Sequence, residues 1–188
     1  MLFKMKKWVL FLFLLFLATS CGRPGAVDSI NSQTESMRED PFEFEYPIDW
    51  KISGKEDIVG PGQKKAVYYF THPQNKKCRI TIETRQLNDT SDKQLTAMIA
   101  VRARELKDDY SRDGYGNFSF KTLPSTLSGK PATSLITTGT KNDVTRKVVT
   151  IILFSKGGFY SVSYQWFDNW SPAIRSRLRE IVSTFRVS

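Results

Sequence analysis

Cysteine and histidine are the scarce residues in this chain. Its 188 residues hold two cysteines and one histidine, and each scarcity removes a class of chemistry. A zinc site takes several Cys or His ligands, yet only Cys78 and His72 remain once Cys21 is assigned to the leader described below. No metal and no cofactor is therefore expected. A single cysteine in the mature chain leaves no partner for an intramolecular disulfide. A hydrolytic triad needs a base beside a nucleophile, and no G-x-S-x-G motif accompanies His72, which stands in THPQNKK as an exposed turn after a strand. No catalytic residue is assigned, and the chain is not read as an enzyme; an envelope hydrolase or transferase using His72 or a carboxylate is the alternative ranked behind a binding module. Asp108, Asp109 and Asp113 resemble part of a calcium loop, but Ser111-Arg112 interrupts them and the closing glutamate is missing. They read as a solvated helix end.

A long hydrophobic run is also missing. The apolar stretch Trp8–Ala18 counts eleven residues, against about 20 for a bilayer-spanning helix. Lys4, Lys6 and Lys7 precede it, and Ala18-Thr19-Ser20 leads into Cys21. This is the tripartite pattern of an export signal. Small residues suit a peptidase pocket, and the residue after the cut is a thiol able to accept a diacylglyceryl group. LATSC resembles a bacterial lipobox in a relaxed form, with Leu17 four residues before the cysteine. Cleavage is expected between Ser20 and Cys21. Cys21 then becomes the lipidated first residue, carrying diacylglyceryl and N-acyl chains, more than the one chain that gives only marginal membrane binding. Gly22 after the cysteine is expected to permit sorting to an outer membrane.

Acid is in deficit. The formal charge is +9 from 28 basic and 19 acidic residues; the three leader lysines account for three of these, leaving +6 after cleavage. A moderately basic surface suits anionic lipid, a polyanion or an acidic protein. An exported location disfavours nucleic acid. Residues 21–41, rich in Gly, Ser, Pro and charge, read as a tether with a root-mean-square reach of about 25 Å.

A folded domain is expected over 42–188, where an apolar fraction of 40% suffices for a core. FEFEY alternates Phe42, Phe44 and Tyr46 with glutamates, the period of a half-buried strand. Further strands are expected at 66–70, 78–87, 118–127, 132–139, 145–154 and 159–166. Turns at Ser128-Gly129, Lys141-Asn142-Asp143 and Lys156-Gly157-Gly158 imply antiparallel neighbours. Ser91 to Gln94 has capping-box spacing, and Leu95, Ile99, Ala103, Leu106 and Tyr110 mark one face of a helix. A second helix begins at Ser171-Pro172 with a stripe of Ile174, Leu178, Ile181, Val182 and Phe185. The fold class is α+β, an antiparallel sheet with helices packed on its faces.

The order FEFEYPIDWKI, mid-chain helix, TLSGKPA, GGFYSVSYQW and a terminal helix ending IVSTFRV resembles the PsbP-like superfamily, which includes bacterial DcrB-like lipoproteins. The resemblance spans roughly 42–188. It implies a PsbP-like fold and a binding or scaffolding role without chemistry; Tyr46, Pro47 and Trp50 match a structural signature, and no site residue is carried over. Cys78 alternates with Ile80 and Ile82 and is expected in the core as an inert thiol. Trp166, Phe167 and Trp170 are expected to close the core. Arg175 and Arg179 share one helix face at i,i+4 spacing, with Arg177 well round from them. That pair is the candidate contact for an anionic partner, either an envelope protein or an anionic polymer. The expectation is thus a lipid-anchored envelope module whose partner and oligomeric state the sequence leaves open.

Overall fold

The computed structural model describes residues 29–39, 42–60, 63–87, 91–155 and 158–187, with the backbone alone for 53–60, 63–64 and Asp92. In chain order the elements are β1 (Thr34–Glu39), β2 (Phe42–Pro47), β3 (Lys51–Gly60), β4 (Gln63–Thr71), β5 (Arg79–Gln86), α1 (Asp92–Arg112), β6 (Gly116–Leu127), β7 (Lys130–Lys141), β8 (Val144–Ser155), β9 (Gly158–Phe167), α2 (Pro172–Ser183) and β10 (Arg186–Val187). Seven strands form one sheet in the order β3-β4-β5-β9-β8-β7-β6, and β1-β2-β10 form a second. All pairings are antiparallel.

Turn chemistry sets the register of the β6–β7–β8 meander. Ser128 and Gly129 have φ of 56° and 71°, and Asn142 and Asp143 have 49° and 59°. Positive φ at both central positions is the type I′ hairpin, whose twist matches that of the strands it joins. The closing pairs are accordingly Leu127↔Lys130 and Lys141↔Val144.

The large sheet separates two apolar regions. On one face Ile80 and Ile82 of β5, Val149 and Leu153 of β8, and Tyr160, Val162, Tyr164 and Trp166 of β9 pack with Phe42 and Phe44 and with Ile174, Leu178, Ile181 and Val182 of α2. Each of these α2 side chains contributes about 1.5–3 kcal/mol by leaving water. On the other face α1 sets Ala103, Leu106 and Tyr110 against Leu135 and Val148, while Leu95, Met98 and Ile99 cover Leu87, Ile152 and Phe159. Both helices are capped as their sequences imply: Ser91 Oγ accepts from the Gln94 amide, Ser171 Oγ from the Ala173 amide, and Pro172 opens α2.

Two expectations need correction, and one strand, β3, was not anticipated. Residues 34–39 were assigned to the tether but form β1 on the edge of the small sheet, where Tyr46 Oη donates to Glu35 and Arg38 pairs with Glu43 at 3.0 Å. Their side chains are mostly exposed, so hydropathy carries no strand signal; backbone pairing with β2, the partly buried Met37 and these polar contacts hold them. Strand β3 is a charge-rich edge strand with a register shift between Ile52 and Gly54, a composition suited to an unpaired edge and unlike a core strand. Finally His72, expected as an exposed turn, is 7% exposed.

Candidate functional site

The β4–β5 connection explains the burial of His72. The His72 amide donates to the Cys78 carbonyl, and the Cys78 amide to that of Asn75, both at 2.9 Å. This closes the loop over the end of the sheet. The Gln74 amide donates to Nδ1 at 3.2 Å, so Nε2 carries the proton and donates to the Ser29 carbonyl at 3.2 Å. Both ring nitrogens are thus committed to backbone. On α2, Arg177 reaches the same segment, donating to the carbonyls of Asn31 and Ser32 at 3.4 and 2.9 Å while pairing with Glu180. The Ile48 amide donates to Gln33. Residues 29–33 are therefore latched to the domain before β1 begins, beside a polar hollow of about 280 Å³ lined by Asn31, Asp49, His72 and Gln74.

A larger cleft, about 450 Å³, lies between the β6–β7 turn and the C-terminal part of α2, with Leu127, Ile151, Tyr164 and Val182 as its apolar lining and Thr126, Ser128, Gly129, Arg179, Ser183 and Arg186 as the remainder. Arg179, half of the expected anion-contact pair, borders this cleft. Arg175 turns instead to the Trp166 ring, its guanidinium 5.9 Å from the centroid, within cation–π range. Both arginines are exposed. The contribution of Arg186 was not legible in the sequence, because it depends on β10 folding back onto β2 in a two-residue pairing. The turn that supplies Ser128 and Gly129 was legible.

The other candidates sort by burial. Cys78 is fully buried, and burial pushes its thiol up to about 12; as a nucleophile it is inert. Trp166, Phe167 and Trp170 are buried and close the core, Phe167 and Trp170 with centroids 5.0 Å apart. Among the described residues several basic side chains are already engaged. Lys65 pairs with Glu83, Arg102 with Glu105 and Arg112 with Asp109, and Arg146 lies inside, 7% exposed. Of the three helix-end aspartates, Asp113 has a structural role as the partner of Arg146 at 2.8 Å. Among the described residues no three His, Cys, Asp or Glu side chains come together as metal ligands do. Ser20 and Cys21 lie outside the described residues.

The arrangement defines a PsbP-like fold. The cyanobacterial PsbP (CyanoP) from Synechocystis sp. PCC 6803 superposes with a TM-score of 0.59 at 18% identity, covering 90% of this chain and 98% of that one. Less similar are a protein from Bacteroides thetaiotaomicron (TM-score 0.48, 14% identity, 85% of this chain and 49% of that one) and LpqN, involved in cell envelope biogenesis of Mycobacterium tuberculosis (0.44, 13%, 83% and 91%). At such identities the likeness to CyanoP is one of fold, and fold alone does not assign function. No protein-family profile and no curated protein matches the sequence.

Proposed function

We propose that the protein is an exported, lipid-anchored module of the bacterial cell envelope, sorted to an outer membrane, that binds or assembles with a partner and performs no chemistry of its own. The observation that carries the reading is the leader: lysines, a short apolar run and small residues end at Cys21, the one cysteine outside the domain core. The latch adds geometry to it. Cys21 precedes Ser29 by eight residues, so it stays within about 28 Å of Ser29 whatever path the chain takes. The domain would then stay close to the bilayer. Two observations support a binding role without catalysis: the only histidine has both nitrogens occupied by backbone, and the only domain cysteine is buried and protonated. The PsbP-like fold agrees with such a role. Among the described residues no helix is long and apolar enough to cross a membrane.

A second reading, a surface protein holding anionic polymers, draws on Arg175 and Arg179, exposed on one face of α2. Cross-linked co-purification of the full-length protein from its native envelope, at low and high salt and beside Cys21→Ala, separates the two. A reproducible protein partner that requires Cys21 supports the assembly module. Polymer alone, released by salt, supports the second reading. Metabolic acyl label that survives Cys21→Ala overturns the anchor.

A further inference from the structure

The cleft beside α2 brings four apolar side chains together with a cationic rim. Its ten lining residues include two arginines and no acid. Arg179 has no acidic partner within salt-bridge distance among the described residues. Arg186 is held in place from one side only: Nη1 donates to the carbonyls of Ser183 and Phe185, leaving Nε and Nη2 as unspent donors. Glu43, its cross-strand neighbour, is engaged by Arg38 at 3.0 Å. Ser128 Oγ accepts from the Val187 amide at 2.9 Å, which leaves its own hydroxyl proton to give. The negative end of α2 is muted, because Ile181 O accepts from the Thr184 amide and hydroxyl, Val182 O from the Phe185 amide, and Ser183 O from Arg186.

We propose that this cleft is a binding site for a single-chain acyl anion. Its chain lies along Leu127, Ile151, Tyr164 and Val182, and its carboxylate is held by Arg179, Arg186 and the Ser128 hydroxyl. Charge complementarity selects the head, since two guanidinium groups present forked donors to a carboxylate. Size selects the chain. A cleft of about 450 Å³ lies within the small-molecule range of about 300–1,000 Å³. At roughly 30 Å³ per methylene, a size similar to one liquid water, that volume corresponds to about a dozen carbons of a single chain. The proposal deepens the binding reading above by naming a ligand class; it rests on that reading's binding role and is independent of the anchor.

The test uses the full-length processed protein in phosphatidylcholine nanodiscs, a diazirine-bearing dodecanoate as probe, and peptide mapping after illumination. Cross-links are expected on peptides spanning 126–130 and 179–187, displaced by excess dodecanoate but not by dodecanol or acetate. Capture should fall about tenfold for each of Arg179→Gln and Arg186→Gln, the loss of a charge-assisted contact, and less for the lysine variants. Both arginines are exposed, so folding is not at stake, and unchanged urea midpoints check this. Equal displacement by dodecanol, undiminished capture by both glutamine variants, or cross-links confined to other peptides would overturn the proposal. The same maps report the mass of the Cys21 peptide, so an unacylated terminus would end the anchored reading and leave the cleft result standing.

Discussion

The Arg146 guanidinium lies 4.8 Å from the centroid of the Tyr110 ring, while the Tyr110 hydroxyl donates back to the Arg146 carbonyl at 3.1 Å and to that of Thr137 at 3.3 Å. This reciprocal contact pins the C-terminal end of α1 to β7 and β8. Arg146 also donates to Gln165 Oε1 at 3.0 Å and to Asp113 at 2.8 Å, and Gln165 passes the connection on to the Lys77 carbonyl. Removing the arginine leaves Gln165 with a buried acceptor unpaired, while Asp113 remains half in water. Arg146→Met is expected to cost about 1–3 kcal/mol, read as a lower urea midpoint. Arg146→Lys should not recover it, because an ammonium cannot both fork to two acceptors and stack on the ring.

Gly139 tests the same contact from the sheet side. A Cβ there would lie 2.4 Å from Cδ1 and 2.8 Å from Cε1 of Tyr110, so the need for glycine is steric. Gly139→Ala is expected to destabilise by about 1–3 kcal/mol, as overpacking does. In a Tyr110→Leu background the penalty should shrink. An unchanged penalty in that double-mutant cycle would place the strain elsewhere.

These residues also show what the sequence could and could not reveal. Strands with clean alternation, such as Ile80 and Ile82 with Cys78, and helices with capping serines were legible because local pattern and tertiary burial agree there. Strand β9 is buried at every position, yet one of its faces carries Ser161, Ser163 and Gln165; their burial depends on partners such as Thr150, 2.9 Å from Ser163, which sit on another strand. His72, Arg146 and Arg186 were misread or passed over for the same reason. Each owes its place to a contact distant in sequence, with Ser29, Tyr110 and β2 respectively. The turn residues of the cleft were visible, and the second arginine was not.

Cys78 gives the fold an alkaline weakness. Its thiol titrates near 12 in the folded protein against an ordinary 9.0, so the unfolded chain loses its proton first as pH rises. The stability contributed by the buried neutral thiol is complete below about pH 9 and is lost as pH climbs toward 12. Tyr110 is also raised, chiefly by burial and partly offset by its hydrogen bond to Thr137 and by Arg146, so it acts in the same direction. Urea midpoints measured from pH 8 to 11 should fall more steeply for wild type than for Cys78→Ala, whose cavity cost does not vary with pH. Parallel slopes would assign the alkaline loss to the tyrosines.

The latch at residues 29–33 predicts a protease phenotype without a folding phenotype. Arg177→Ala removes the donors to Asn31 and Ser32, and His72→Gln removes the ring that meets Ser29. Proteinase K should then cut within 29–33 at lower dose than in wild type. The urea midpoint of Arg177→Ala should correspond to a loss of about 1 kcal/mol or less. Resistance equal to wild type in the double variant would mean that β1 pairing alone holds the segment.

The last prediction concerns the edge strand β6. Among the described residues its only strand neighbour in the sheet is β7, and it exposes Phe120 and Leu123, 57% and 43% accessible. Such an edge invites pairing with a second chain. The two-residue turn makes Leu127↔Lys130 a hydrogen-bonded pair, and hydrogen-bonded and non-hydrogen-bonded pairs alternate from there. Pro124, opposite Thr133, therefore falls where an N–H would point away from β7. The proline sacrifices no ladder bond and removes one outward donor from the middle of the edge. Pro124→Thr should consequently leave the urea midpoint within about 0.5 kcal/mol of wild type while shifting sedimentation toward dimers or larger species. Adding Phe120→Lys, which charges the same edge, should reverse the shift. A Pro124→Thr protein that stays monomeric at high concentration would show that the twist of β6 already protects the edge and that the proline is dispensable there.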